Sequence, residues 1–302
     1  MTALTADELR RRTLAPFTDK AGTFSPLKSA TFVLLVAPGV WLTWAYSSGS
    51  LGGFALKALL NETGLWGIRF IVLSLAVTPL RRVLQWPKLV NTRRMIGIAA
   101  FTYSAVHLWI YVPYMAYDLG KVASEIVLRF YLLVGTLAVL AMVPLAVTST
   151  DGWMRQLGRR WQRLHKIVYA VGILAVLHWY LLLIKVYDPE GHVLAGSLLW
   201  LLAYRAIYAW RGTMKTPWLV ALSIAAAALT MVGHAEFFAL NSNGRLSAWT
   251  FLMGNFTVDG LFAPGSLVLA LGLGVTLAGW VRQRIAPKER RRDRLPPVEA
   301  AR

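Results

Sequence analysis

The sequence predicts an all-α fold, a polytopic transmembrane bundle of about eight helices, on three observations. Apolar runs of about 20 residues, the length a helix needs to cross a bilayer, recur along the 302-residue chain. Charged residues are only 15% of it against 57% hydrophobic, too little polar surface for a soluble domain of this size. The Lys and Arg residues cluster in alternate loops, as the positive-inside rule requires of one membrane face.

The spans follow in order. A polar tail, residues 1–28, carries Arg10, Arg11 and Arg12 and is expected on the cytoplasmic side. The first helix covers about Ala30 to Tyr46 and the second about Leu65 to Leu80, ending at Arg81 and Arg82. A loop with Lys88, Arg93 and Arg94 leads to the third, about Met95 to Tyr114. The fourth covers about Ile126 to Val147. A strongly basic loop holding Arg155, Arg159, Arg160 and Arg163 precedes the fifth, about His165 to Ile184. The sixth covers about Gly196 to Trp210, the seventh about Pro217 to Gly233 and the eighth about Gly265 to Trp280. The last loop, about Glu236 to Ala263, is long and faces outward. A basic tail, residues 285–302, closes the chain on the cytoplasmic face, so both termini are expected inside. No tandem repeat is evident.

The formal net charge of +18 does not point to nucleic acid, because the positive residues lie where anionic lipid headgroups meet a membrane protein. The chain has no cysteine. That excludes disulfides, Cys-ligated iron–sulfur clusters and covalently attached c-type haem.

The chemistry concentrates in the histidines. An ionisable ring inside an apolar span is costly and marks a functional site by default. His107 in the third helix and His178 in the fifth each stand about 18 Å up from the basic ends of their helices, at 1.5 Å per residue. Two neutral imidazoles at one height on neighbouring helices can supply both axial ligands of a haem. The alternative is a pair of core histidines bonded to backbone carbonyls.

His165 stands at the basic mouth of the fifth helix, about 19.5 Å of helical rise below His178. No second histidine faces it. Arg93 and Arg94 occupy the matching level of the third helix, where a guanidinium suits haem propionates better than iron. His165 therefore reads either as sole protein ligand of an inner haem or as an interfacial histidine. His192, beside Asp188 and Glu190, and His234, beside Glu236, are expected to face solvent. Gly272-Leu-Gly274 lacks the βαβ context of a dinucleotide fingerprint, and Asn255-Phe-Thr257 is a sequon of only three residues.

The stretches Leu80-Arg-Arg, Asn91-Thr-Arg-Arg-Met-Ile-Gly97 and Val106-His107-Leu108 resemble the haem-binding membrane subunits of bacterial periplasmic methionine-sulfoxide reductase systems (the MsrQ family, formerly YedZ). So do Thr148-Ser-Thr, Leu157-Gly-Arg-Arg-Trp161-Gln-Arg-Leu-His165-Lys-Ile-Val-Tyr169 and Leu177-His178-Trp-Tyr180. The resemblance covers about Trp41 to Arg211. It implies a place in the ferric-reductase-like transmembrane superfamily, with a six-helix core over residues 29–211; the two-helix extension over 212–284 departs from that pattern and its role is open. It further implies haem b (one or two), FMN, and electrons drawn from the quinone pool or a cytosolic flavin reductase. The recipient it implies is a periplasmic molybdopterin-dependent methionine-sulfoxide reductase subunit. The family's histidines fall on His107, His165 and His178; no FMN motif can be placed.

The expectation is an electron-transfer subunit of the bacterial inner membrane. His107 and His178 hold an outer haem and His165 an inner one. Arg93, Arg94, Arg159, Arg160 and Arg163 face propionates, lipid headgroups or a donor's acidic patch. Competing readings are a stand-alone metal or quinone reductase, a proton-relaying transporter and a membrane scaffold.

Overall fold

A computed structural model describes residues 17–18, 23–183, 188–242, 245, 247–257 and 259–285. Both expected tails lie mostly outside the described residues. Among these residues the only β feature is an isolated bridge between Thr18 and Phe24. Eight helices among the described residues are long and apolar enough to cross a membrane.

The helices in chain order are α1 (Pro26–Ser47), α2 (Ala55–Val83), α3 (Arg93–Tyr114), α4 (Leu119–Leu128), α5 (Phe130–Val147), α6 (Asp151–Leu157), α7 (Arg159–Leu164), α8 (Ile167–Leu183), α9 (Pro189–Arg211), α10 (Thr216–Asn241), α11 (Ala248–Gly254) and α12 (Pro264–Ile285). Of these, α4, α6, α7 and α11 are short connecting pieces. The rest are the spans, with α7 continuing into α8 as one apolar stretch.

The long helices form because their sequences are almost continuously apolar and a helix satisfies its interior backbone donors and acceptors within itself. That is the condition for crossing hydrocarbon. Buried side chains such as Ile71, Leu75, Ala100, Met142, Val171, Leu198 and Ala226 form one continuous core through α2, α3, α5, α8, α9 and α10. Large apolar residues such as Leu34, Val40, Trp109 and Leu140 face outward, where lipid covers them.

Two hairpins build the first half: α2 packs on α3 and α5 on α8. The helix α9 joins this half to a second group in which α10 packs on α12. Glycines permit the close approaches there. A β-carbon on Gly196 would lie 2.2 Å from Thr230 Oγ1, and one on Gly272 would lie 2.4 Å from Ser223 Oγ. Gly272 thus serves helix packing. One on Gly279 of α12 would lie 2.5 Å from Val83 Cγ1 at the end of α2.

The basic ends gather on one face, referred to below as the basic face. Arg94 at the start of α3 pairs with Asp151 of α6. The Arg82 guanidinium lies 3.8 Å over the Tyr208 ring near the end of α9.

Several elements differ from the sequence expectation. The second span begins at Ala55, ten residues earlier than the apolar run, and so includes Asn61 and Glu62. Its extra turns are held by a small cluster of Leu60, Ile110 and Tyr111 at the far end of the bundle. The fourth span breaks at Arg129, whose extended backbone (φ −99°, ψ 105°) separates the amphipathic α4 from α5. The sixth and seventh spans run from Pro189 and through Asn241, taking in Glu190, His192, His234 and Glu236. The long loop near residue 250 contains the short helix α11.

Candidate functional site

His107 and His178 face each other across the first half of the bundle. Their ring centroids are 6.3 Å apart and their planes cross at 71°. Each is fixed the same way. His107 Nδ1 lies 2.8 Å from the Leu60 carbonyl of α2, and His178 Nδ1 lies 2.6 Å from the Tyr131 carbonyl of α5. A carbonyl only accepts, so both Nδ1 atoms carry the proton and donate. Both Nε2 atoms are then left as lone-pair donors toward the space between the rings.

Glycine makes this possible twice. A β-carbon on Gly64 would lie 2.8 Å from His107 Nδ1, and one on Gly135 would lie 2.6 Å from His178 Nδ1. Each glycine stands one turn beyond its acceptor carbonyl, so the ring lies flat against the helix that orients it. The trio Leu60, Gly64 and His107 recurs at identical spacing as Tyr131, Gly135 and His178. The two histidine–carbonyl separations in sequence are both 47 residues. The α2–α3 and α5–α8 hairpins thus present equivalent ligands, an internal repeat of geometry that sequence alone did not reveal.

Between the hairpins lies a cavity with about 820 Å³ of empty space, including its opening. Ile68, Ile71, Leu108, Val139 and Met142 make its wall mainly apolar. Its polar groups besides the histidines are Asn61, Ser104, Tyr111, Thr136 and Trp179. Trp179 Nε1 is buried with no hydrogen-bond partner among the described residues.

This donor set fits a haem. Metal–imidazole bonds of about 2.0–2.1 Å on opposite sides of one ion place the ring centroids about 6 Å apart, close to the separation found here. A backbone carbonyl on the second ring nitrogen is the usual support of a metal-bound histidine, fixing tautomer and orientation. Among the described residues no group of three or more His, Cys, Asp or Glu could hold a metal ion.

His165 stands apart from this cavity. It caps α7 at the basic face; its ring stacks on Trp161 at 3.8 Å with a 25° interplanar angle. Its Nδ1 lies 3.1 Å from the Trp161 carbonyl, and its Nε2 is buried without a partner. Trp161 is itself anchored, Nε1 donating to the Thr148 carbonyl at 2.8 Å. Arg93 is near enough to His165 to interact electrostatically, while Arg94 is engaged by Asp151 and the Ser149 carbonyl. Neither arginine lines the His107–His178 cavity. Arg159, Arg160 and Arg163 are exposed on α7.

The structure corrects the expectation for the two remaining histidines. His192 and His234 are buried, at 2% and 9% relative exposure, not solvent-facing. Their ring centroids are 4.8 Å apart, with Tyr180 and Phe237 packed edge-on against His192. Asp188 and Glu190 suggested a loop around His192, but Asp188 caps α9 and Glu190 lies in its first turn, with α8 and α10 packed against the helix, while Glu236 lies within α10.

Sequence reasoning also missed two charged groups inside spans. Arg69 of α2 makes a bidentate pair with Glu190 of α9, both hydrogen bonds 2.6 Å, and lies 4.4 Å over the Trp66 ring. Arg205 of α9 donates to the Leu75 carbonyl. Both tie the second group of helices to α2. An isolated charge within an otherwise apolar span was the available signal for each.

Comparisons with known proteins agree with this architecture. The family described as ferric reductase like transmembrane component matches residues 63–176, a stretch that holds His107 and His165 and ends two residues before His178. A protein-methionine-sulfoxide reductase heme-binding subunit MsrQ from Xanthomonas oryzae pv. oryzae (strain MAFF 311018) is 42% identical over 171 residues, 55% of this chain and 76% of that protein. The protein of the same name from Caulobacter vibrioides (strain ATCC 19089 / CIP 103742 / CB 15) is 40% identical over 169 residues, 54% of this chain and 80% of that protein. One from Xanthomonas campestris pv. campestris (strain 8004) is 40% identical over 189 residues, covering 59% and 84%. No solved structure matches the chain.

Proposed function

Because the chain belongs to the MsrQ family of heme-binding subunits, with a ferric-reductase-like transmembrane core, we propose that it carries electrons across the bacterial inner membrane through haem b. Its donor is the quinone pool or a cytosolic flavin reductase. Its acceptor is a periplasmic molybdopterin-dependent methionine-sulfoxide reductase that repairs oxidised proteins. The observation that carries this is the facing pair His107 and His178, each with Nδ1 satisfied by a carbonyl and Nε2 turned to a shared cavity.

In this reading His107 and His178 would hold the outer haem, and His165 would hold an inner one. The haem supplies reversible one-electron chemistry at iron. The protein fixes the two imidazoles, keeps the macrocycle in an apolar wall and excludes water from it. The hydrocarbon is about 30 Å thick, so two centres divide the crossing into shorter steps. The gathering of Lys and Arg at one face supports a cytoplasmic assignment for that face. There Arg93, Arg94, Arg159, Arg160 and Arg163 meet lipid headgroups, propionates or a donor's acidic surface. FMN belongs to the reading through the family alone, and no residue is assigned to it. The subunit itself performs no bond-making step on methionine sulfoxide.

The test is purification of the full chain in detergent after expression with ample haem. A Soret band, and its reoxidation by a periplasmic methionine-sulfoxide reductase supplied with substrate, support the reading. A haem-free protein would favour a transporter. A haem protein that reduces ferric chelates or quinones but never that enzyme would favour the stand-alone reductase.

A further inference from the structure

The cavity wall is not equally polar toward the two membrane faces. Helix α2 runs toward the basic face and α3 away from it, so Asn61 and Tyr111 both stand about one turn beyond the histidines on the far side. An amide and a phenol are strong neutral hydrogen-bond donors. On the basic side the wall is Ile68, Ile71, Met142 and Ala175 with the Ser104 hydroxyl, while the Thr136 hydroxyl and Trp179 Nε1 stand at the level of the histidines, next in sequence to Gly135 and His178. Below that lies the continuous apolar core.

A porphyrin of the haem b type carries its two carboxylates on one edge. Burying an ionised carboxylate without hydrogen-bond partners is among the costliest acts in a protein interior. Cations do not offer an alternative within the wall. Arg69 turns away from the cavity to Glu190, and Arg129 at the far mouth is already paired with Glu125. Neutral donors must therefore carry the carboxylate edge.

We propose that the haem sits with its propionate edge toward the far face, accepting hydrogen bonds from the Asn61 amide and the Tyr111 hydroxyl. The proposal rests on the haem reading given above and adds an orientation to it. The edge that meets an approaching redox partner is then the anionic one, and the vinyl edge packs against Ile71 and Met142.

The test uses the full-length protein purified with its haem, comparing wild type with Asn61→Leu, Tyr111→Phe and Ser104→Ala. Resonance Raman spectra report the propionate-bending band, and transfer of haem to excess scavenging globin reports retention. Tyr111→Phe removes one hydroxyl and keeps the ring that packs on Leu60, so it preserves the local fold. The expected result is a shifted propionate band and about tenfold faster haem loss in the Asn61 and Tyr111 variants, the scale of one hydrogen bond to a charged acceptor. Ser104→Ala leaves the propionate band unchanged. A band that ignores both far-side variants, or moves only with Ser104→Ala, overturns the orientation while an intact Soret band preserves the haem. Wild-type protein with no Soret band would remove the haem reading and this proposal together.

Discussion

His178 packs so closely on Gly135 that a β-carbon at residue 135 would stand 2.6 Å from its Nδ1. The ring can reach the Tyr131 carbonyl only because that β-carbon is absent. Gly135→Ala forces either the ring or the α5–α8 spacing to move. Groups that orient a metal-bound histidine typically contribute 10–100-fold in metal affinity, roughly. The expected outcome is a fall in haem-to-protein ratio with a weakened low-spin spectrum and unchanged helicity. Gly64→Ala should do the same through His107. Gly97→Ala is the control, since its β-carbon would meet only Ser74 Oγ at 3.7 Å.

The Arg69–Glu190 pair holds α2 to α9 from within the spans. Removing one partner of a fully buried pair costs about 3–5 kcal/mol, because the other charge is stranded. The side chains here keep 27% and 32% exposure and Glu62 remains 4.0 Å from Arg69, so Glu190→Gln is expected to cost less, about 2 kcal/mol. Thermal unfolding in detergent should show the loss. The double change Arg69→Met with Glu190→Met should recover most of it, and failure to recover would mean the pair does more than bridge two helices.

His165→Ala probes the inner centre. With Nε2 buried and unpartnered at the basic face, its removal should lower the haem-to-protein ratio measured by pyridine haemochrome while sparing the bis-histidine signal of the cavity. An unchanged ratio assigns His165 to packing against Trp161 instead.

How far the sequence spoke depends on whether a signal was local. The heights of His107 and His178 follow from counting helical rise, and the rings do meet. The amphipathic α4 was missed because the apolar run continues through Arg129 into α5, and only the extended backbone at Arg129 separates them. Asn61 and Glu62 looked like loop because their helical turns are stabilised by contacts with Ile110 and Tyr111, far away in sequence. His192 was misplaced for a similar reason: Asp188 and Glu190 make the segment polar, yet Arg69 neutralises Glu190 and α10 covers the histidine. Gly64 and Gly135 carry no signal alone; only their shared spacing to a histidine gives one.

The second helical group packs through residues with no side chain to spare. Gly196→Ala would set a methyl 2.2 Å from Thr230 Oγ1 and 2.8 Å from Val268 Cγ2. Overpacking of this kind costs about 1–3 kcal/mol. A lowered unfolding temperature with an unaltered Soret band is expected, since α9, α10 and α12 contribute nothing to the wall of the cavity. A changed haem spectrum would instead join this group to the redox site.

The most direct measurement is low-temperature electron paramagnetic resonance of the oxidised protein, wild type beside His107→Ala and His178→Ala. A low-spin bis-imidazole ferric signal in the wild type, lost equally in both variants, is the predicted result. Survival of that signal in either variant would contradict the shared coordination of one iron by the two facing rings.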